Sequence, residues 1–331
     1  MTTESLVRTE ELKIYFPVRK FLGTVGEVKA VDGVNLSIGR KETVALVGES
    51  GCGKTTLGRA LLGLVKPKSG KILFDGIDLT TLGERELKLM RRRMGVVFQD
   101  PYASLNPSFT VYRIVEEPLV VNKIGTGEER REMVLKALEE VKLNPAEFFA
   151  SKYPHMLSGG QRQRVAIARA IITKPEFVVT DEPVSMLDAS IRVEILLLFR
   201  EIQKKHGVSF LYITHDLATA KYFSDRIAIM YAGRIVETGP TKAVLSEPLH
   251  PYTQALVDAI PDPDPANRFV MRKVPVGQPP SLVNPPKGCR FHPRCPFFMP
   301  GKCDVLEPPM YRVGDERFSA CFLHEDKVTI K

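Results

Sequence analysis

The chain has 331 residues, enough for about two domains at ~150 residues each. Hydrophobic residues make up 44% and charged residues 26%, a balance that excludes wholesale disorder, and no apolar stretch approaches the ~18 residues that span a bilayer. Lys and Arg total 47 against 39 Asp and Glu, a net charge of +8, which permits polyanion binding without deciding it.

Met1-Thr2-Thr3-Glu4 has no basic region leading into an apolar run, so no signal peptide is expected and membrane association must come through a partner. Thr43–Val47 is a short β-branched, apolar run that meets Gly48, and the segment after Lys54 reads as a helix. Gly95–Phe98 is a second apolar run. From about Asp100 to Leu157 the strand signals cease, which predicts an inserted helical subdomain; within it Glu128–Val141 places Met133, Val134, Ala137, Leu138 and Val141 on one helical face. Gln161–Ile172 reads as a helix, Phe177–Thr180 as a strand, Ile191–Gln203 as a helix and Val208–Thr214 as a strand. Arg226–Tyr231, Ala232-Gly233 and Arg234–Glu237 read as a hairpin. Strands alternating with helices predict an α/β fold with a largely parallel sheet. Residues 241–331 hold 15 of the 25 prolines, so this tail is expected to be loop-rich, with little core of its own and in need of docking or a staple.

Gly48-Glu49-Ser50-Gly51-Cys52-Gly53-Lys54-Thr55 fits the pattern G-x-x-x-x-G-K-[ST], followed by Thr56. Its glycines let backbone N–H groups turn inward on a phosphate, and the following helix N-terminus adds partial positive charge. Lys54 reaches the β- and γ-phosphates and the Thr55 hydroxyl suits Mg²⁺. Ser50, Gly51, Cys52, Gly53, Lys54, Thr55 and Thr56 are therefore the candidate ATP-binding residues, with Cys52 filling the loop. The alternative is a chance glycine-rich turn, which the strand before and the helix after it argue against. Phe177–Thr180 ends in Asp181-Glu182. Asp181 suits the Mg²⁺ shell and Glu182 a base that polarises the attacking water; an acidic turn or cap is the alternative.

Leu157-Ser158-Gly159-Gly160-Gln161, shortly before Asp181-Glu182, is similar to the signature of ABC transporter nucleotide-binding subunits. Ser158 is a good N-cap, two glycines bare the backbone and a helix follows, which makes a second anion cradle on one chain. The resemblance implies a P-loop NTPase core of ABC type with an inserted helical subdomain and a loop-rich C-terminal extension, divided at 1–240 and 241–331 with the helical subdomain at about 100–157. It implies a head-to-tail dimer, in which Ser158, Gly159, Gly160, Gln161 and Asp188 act in trans on the partner's nucleotide. Gln99 resembles the Q-loop glutamine that touches Mg²⁺ and water, so Mg²⁺ is expected at Thr55, Gln99 and Asp181. Ser185-Met186-Leu187-Asp188 resembles the D-loop, with Met where Ala is usual. His215 resembles the switch histidine at the γ-phosphate. Glu182, His215 and Gln99 form the expected catalytic set. Phe16, with Tyr15 as runner-up, matches the aromatic that stacks on adenine.

Leu249–Leu256 and Gly288–Pro296 resemble the C-terminal extension of the oligopeptide/dipeptide importer subfamily. The cargo this implies is a di- or oligopeptide, with oligosaccharides or nickel as other options. The implied partners are a second ATPase subunit (a paralogue or a second copy), two transmembrane permease subunits and, indirectly, an extracellular binding protein, with the chain on the cytoplasmic face of the membrane. Cys289, Cys295, Cys303 and Cys321 are spaced C-x5-C, C-x7-C and C-x17-C, without the C-x2-C pairs that zinc ribbons favour. Four loosely spaced thiolates suit a [4Fe-4S] cluster, as some members of the subfamily carry. Zinc shared with His292 or His324, and unliganded thiols, are the alternatives. A competing function is a soluble ABC-type ATPase acting on nucleic acid or ribosomes, which the charge and Arg91-Arg92-Arg93 would suit. The single compact cassette argues against it, so no nucleic-acid partner is expected.

Overall fold

The computed structural model describes residues 5–20, 23–260 and 277–330. Two long strands, β1 (Ser5–Lys20) and β2 (Gly23–Gly39), precede the core strand β3 (Thr43–Val47) and helix α1 (Lys54–Leu61). β4 (Ser69–Phe74), β5 (Ile77–Asp78), α2 (Glu84–Arg91) and β6 (Met94–Val97) follow. Helices α3 (Pro101–Ser104), α4 (Val111–Val121), α5 (Gly127–Glu140), α6 (Ala146–Ala150) and α7 (Gly159–Ile171) then run without an intervening strand. Alternation resumes with β7 (Phe177–Asp181), α8 (Ala189–His206), β8 (Ser209–Thr214), α9 (Leu217–Phe223) and the hairpin β9 (Arg226–Tyr231) and β10 (Arg234–Pro240). The C-terminal part carries α10 (Thr241–Ser246), α11 (Pro251–Asp258) and the short strands β11 (Met310–Gly314), β12 (Arg317–Ser319) and β13 (Val328–Ile330). The predicted elements are present, with ends displaced by up to three residues; α8, for example, begins two residues before Ile191 and runs three beyond Gln203.

The described chain forms two compact units. The first is built on Thr81–Tyr212 with Ile38–Glu42. Its strands β6 and β7 pair in parallel, from Met94 opposite Phe177 to Val97 opposite Thr180. Every residue of β7 is buried, as a parallel strand covered on both faces requires. The helices bury one stripe each: Val111, Ile114, Val115 and Leu119 on α4, and Val134, Ala137 and Leu138 on α5, at about 1.5–3 kcal/mol for each large side chain. Thr126 and Glu129 form a reciprocal cap that starts α5, and Gly207, at φ 66°, ends α8.

The second unit comprises the described parts of Val7–Ser37, Thr43–Thr80 and Ile213–Lys331. One sheet has the order β2-β1-β4-β5, and the other runs β13-β11-β12-β10-β9-β3. β3 pairs in parallel with β9, Val44 opposite Arg226 and Val47 opposite Ile229. Ala232 and Gly233, both at positive φ, give the β9–β10 turn the twist that a tight hairpin needs. The tail adds to the sheet edge: Glu237 of β10 lies opposite Ser319 of β12. The Glu237 carboxylate is fully buried and accepts from the backbone N–H of His250 at 2.8 Å, of Leu249 at 3.1 Å and from Arg317 at 3.4 Å. Such a satisfied buried charge fixes one arrangement of the tail.

Candidate nucleotide site

In the second unit, β3 delivers the chain to the loop Gly48–Thr55 and α1 leaves it. No side chain caps α1, so its N-terminus keeps the character of an anion cradle. Gly53 precedes the helix at φ 109°, and a Cβ there would lie 2.0 Å from the Ala30 carbonyl oxygen; only glycine fits. Lys54 is buried, and its Nζ donates to the carbonyl oxygens of Gly48 at 2.7 Å and Glu49 at 2.9 Å. These bonds hold the ammonium over the loop that a phosphate would enter. The buried Cys52 thiol, whose pKa burial raises, sits beneath the loop, and the Cys52 carbonyl accepts from Gly233 N–H at 2.9 Å. Ser50 is exposed, while Thr55 and Thr56 are partly buried in the first turn of α1. His215 is exposed just past β8. The flanking backbone is fixed: Asp216 N–H donates to Thr214 Oγ1 at 3.0 Å and the Asp216 carboxylate caps α9. Phe16 is exposed on β1, whereas the Tyr15 hydroxyl is bound to Asp32 and its ring lies under Lys68 Nζ at 4.8 Å.

The first unit gathers the other candidates. Asp181 is the buried last residue of β7, and Glu182 follows at φ 45°. A non-glycine residue in left-handed backbone is a costly conformation of the kind that clusters at functional sites. Gln99 Nε2 donates to Glu182 Oε2 at 3.1 Å, so these two candidates from the sequence touch directly. Ser185 N–H and Oγ both bond to the Glu182 carbonyl oxygen, which turns the chain toward the exposed Asp188 at the start of α8. Ser158 Oγ accepts from Gln161 N–H at 3.3 Å and Gln161 Oε1 accepts from Ser158 N–H at 3.0 Å, the capping box of α7. A Cβ on Gly160 would lie 2.7 Å from Ile191, so the signature residues Ser158–Gln161 and the first turn of α8 pack together.

Two sets of residues had no assigned role in the sequence. On α7, Arg162 stacks on the Tyr102 ring at 3.6 Å and bonds its hydroxyl, and Arg169 donates to the Ser104 carbonyl at 2.6 Å. The signature helix thus grips α3, which follows Gln99. In the tail, Tyr252 Oη accepts from Glu49 N–H at 2.9 Å, Arg294 bonds the Glu49 carboxylate, and Arg290 bonds Asp32 and the Ala232 carbonyl. Neither set has a local pattern by which sequence alone could pair its members.

Cys289, Cys295, Cys303 and Cys321 are all free thiols. Cys289 N–H donates to the Cys303 carbonyl at 2.8 Å, and Cys303 packs with Tyr311 and Phe322. Burial raises the Cys289 thiol to about 11, and Cys303 and Cys295 add to it. Burial raises Cys321 to about 12, with Cys289, Cys295 and Cys303 adding. The four therefore share one neighbourhood. Among the described residues, however, no three His, Cys, Asp or Glu side chains form a set that could hold a metal ion. The His292 and His324 rings face the backbone carbonyls of Cys289 and Leu249, so the mixed zinc site of the sequence reading is not assembled there.

The family described as ABC transporter matches residues 31–185, and the family described as oligopeptide/dipeptide transporter, C-terminal region, matches residues 236–303. The chain is 44% identical over 326 residues to a putative oligopeptide transport ATP-binding protein, YkfD, of Bacillus subtilis, covering 98% of this chain and 97% of the relative. It is 43% identical over 325 residues to the oligopeptide transport ATP-binding protein AppF of the same organism, covering 97% and 98%. Among solved structures, a dimeric post-hydrolysis state of the ATP-binding cassette MJ0796 bound to ADP and Pi superposes with a TM-score of 0.64 at 33% identity, covering 71% of this chain and 98% of that one. CbiO1 of Clostridium perfringens, part of the cbiONQ transporter complex, gives the same TM-score at 33% identity, covering 74% and 92%.

Proposed function

The chain belongs to the ATP-binding subunits of ABC transporters, and from that premise we propose that its ATP hydrolysis drives the uptake of di- or oligopeptides through two membrane-embedded permease subunits. ATP is its substrate, with Mg²⁺ as the accompanying ion. The observation that carries the cargo class is the match of residues 236–303 to the C-terminal region of oligopeptide/dipeptide transporters. The near full-length relatives are named for peptide transport, which leaves the nucleic-acid and ribosome reading without support.

In the reaction we assign Lys54 to the β- and γ-phosphates and Glu182 to the attacking water as general base, with His215 at the γ-phosphate and Phe16 at the adenine. Thr55, Gln99 and Asp181 serve Mg²⁺. The Gln99–Glu182 contact supports a shared task for that pair, since an amide that holds the base also orients what the base activates. Ser158, Gly159, Gly160, Gln161 and Asp188 act on the nucleotide of a second ATPase subunit in a head-to-tail dimer; the exposure of Ser158 and Asp188 leaves both open to a partner. The segment 100–157 carries Tyr102, Val120, Val121, Phe148, Tyr153 and Met156 as exposed apolar residues. That supports docking of this helical region against the permeases, with the chain peripheral at the cytoplasmic face and an external binding protein delivering cargo. We divide the chain at 1–240 and 241–331 for these tasks, with 100–157 as the helical subdomain.

For the tail we propose a [4Fe-4S] cluster held by Cys289, Cys295, Cys303 and Cys321. The mutual influence of the four thiols and the packing of Cys289 against Cys303 support this reading. When bound it would supply a structural staple.

The cargo proposal is tested in proteoliposomes that hold this chain with its partner ATPase and permeases. Addition of the binding protein loaded with peptide is expected to raise ATP turnover and peptide uptake together. Stimulation by nickel- or oligosaccharide-loaded binding protein, with none by peptide, would reassign the cargo.

A further inference from the structure

We infer that Arg294 is a positioning residue of the nucleotide site, which holds the second residue of the P-loop, Glu49, from the C-terminal region; the inference rests on the reading of Gly48–Thr55 as the phosphate cradle. Glu49 is held at three points. Its N–H donates to Tyr252 Oη at 2.9 Å, its carbonyl oxygen accepts from Lys54 Nζ at 2.9 Å, and its carboxylate is forked by Arg294. Arg294 Nη1 lies 3.2 Å from Oε1 and 3.0 Å from Oε2, and Nη2 lies 3.2 Å from Oε1. Two of the three holds come from the tail.

The tail has a fixed platform from which to do this. Tyr252 lies 4.5 Å from Tyr231 and 5.5 Å from Phe291 between ring centroids. Arg290, four residues before Arg294, is tied to Asp32 and to the Ala232 carbonyl. Arg294 itself is 8% exposed, against 27% for Glu49, so the more buried partner is the one that does the holding.

The chemistry makes the contact matter for nucleotide. A phosphate cradle must accept a polyanion, yet its second residue is a carboxylate. An unpaired anion there opposes the incoming phosphates, and it is free to take the Lys54 ammonium as its counter-ion. Arg294 removes both problems at once: it neutralises the carboxylate and turns it away onto the tail, leaving Lys54 to the loop carbonyls.

The test uses the full-length chain and Mg-ADP as the probe, titrated calorimetrically at two salt concentrations. Arg294→Ala is expected to weaken binding about tenfold, the worth of one charge-assisted hydrogen bond, and more at low salt. Glu49→Gln in the Arg294→Ala background is expected to recover most of that loss, because no carboxylate is left to neutralise. A tail that acted only by its folding would give no such recovery. Arg294→Lys, which keeps the charge and loses the fork, should fall between. If Arg294→Ala melts far below the wild type, Arg294→Gln carries the same comparison. Wild-type affinity in the Arg294 variants, while Lys54→Ala abolishes binding, overturns this inference alone; so does a double variant as weak as Arg294→Ala. Unchanged binding in Lys54→Ala overturns the phosphate-site reading and the inference with it.

Discussion

Glu182 combines three features: a carboxylate just past the end of a buried strand, left-handed backbone, and an amide partner in Gln99 at 3.1 Å. If it is the base, Glu182→Gln keeps the shape and removes the proton acceptor. Turnover is then expected to fall by at least ~10²-fold while Mg-ATP affinity persists. Steady-state ATPase beside equilibrium nucleotide binding checks this; near-normal turnover would take the role from Glu182. The candidate residues stood out in the sequence because each motif is contiguous: a loop that curls its N–H groups inward and a carboxylate at a strand end need their atoms within a few residues of one another. Arg294 with Glu49, 245 residues apart, and Arg162 with Tyr102, 60 apart, left no such trace. Ion pairs between distant loops obey no spacing rule, so only the folded chain reveals them.

At the scale of elements, α11 is capped by His250, whose Nδ1 accepts from Tyr252 N–H at 3.0 Å. An acceptor nitrogen must be unprotonated. Burial, and secondarily the charge of His324, push this histidine from 6.5 down to about 3. The folded state therefore refuses a proton that the unfolded state takes up below pH 6.5, so this contribution to stability is full above 6.5 and is lost as pH falls toward 3. Protease resistance of the C-terminal region should decline between pH 7 and pH 4. In His250→Asn, which keeps a capping oxygen that does not titrate, that decline should flatten; an unchanged profile would assign the acid sensitivity elsewhere. Element types were readable where burial was continuous: β3 and β7 are buried along their whole length and their apolar cores, Val44–Val47 and Phe177–Val179, read as strands. The sheet of β1, β2, β4 and β5 was not anticipated. β4 alternates between exposed and buried positions with a lysine and a glycine among its six residues, a pattern too weak to stand out. The tail strands are as short as three residues, below the length at which periodicity means anything.

For the molecule as a whole, the tail is tied to the cassette by strand pairing at β10, by Glu237 and by the 290–294 stretch, which Cys289 and Cys295 bracket. A cluster on those cysteines would brace the stretch that holds the P-loop. Protein purified without oxygen is expected to be brown, with iron and sulfide in matching amounts. Changing any one of the four cysteines to Ser should bleach it and open the tail to protease. Colourless protein with stoichiometric zinc would select the other ligand, and metal-free protein with a resistant tail would remove both.

The contact between Arg290 and Asp32 spans 258 residues, and its consequence lies in synthesis. A ribosome that has synthesised the first 240 residues has made the loop Gly48–Thr55, yet Glu49 still lacks Tyr252 and Arg294. At ~10 residues per second the missing stretch takes on the order of ten seconds to emerge. During that interval Glu49 lacks its tail contacts and the aromatic ring of Tyr231 is still without Tyr252 and Phe291. If Arg294 holds Glu49 as inferred above, the loop Gly48–Thr55 gains its last brace only after residue 294 has been synthesised.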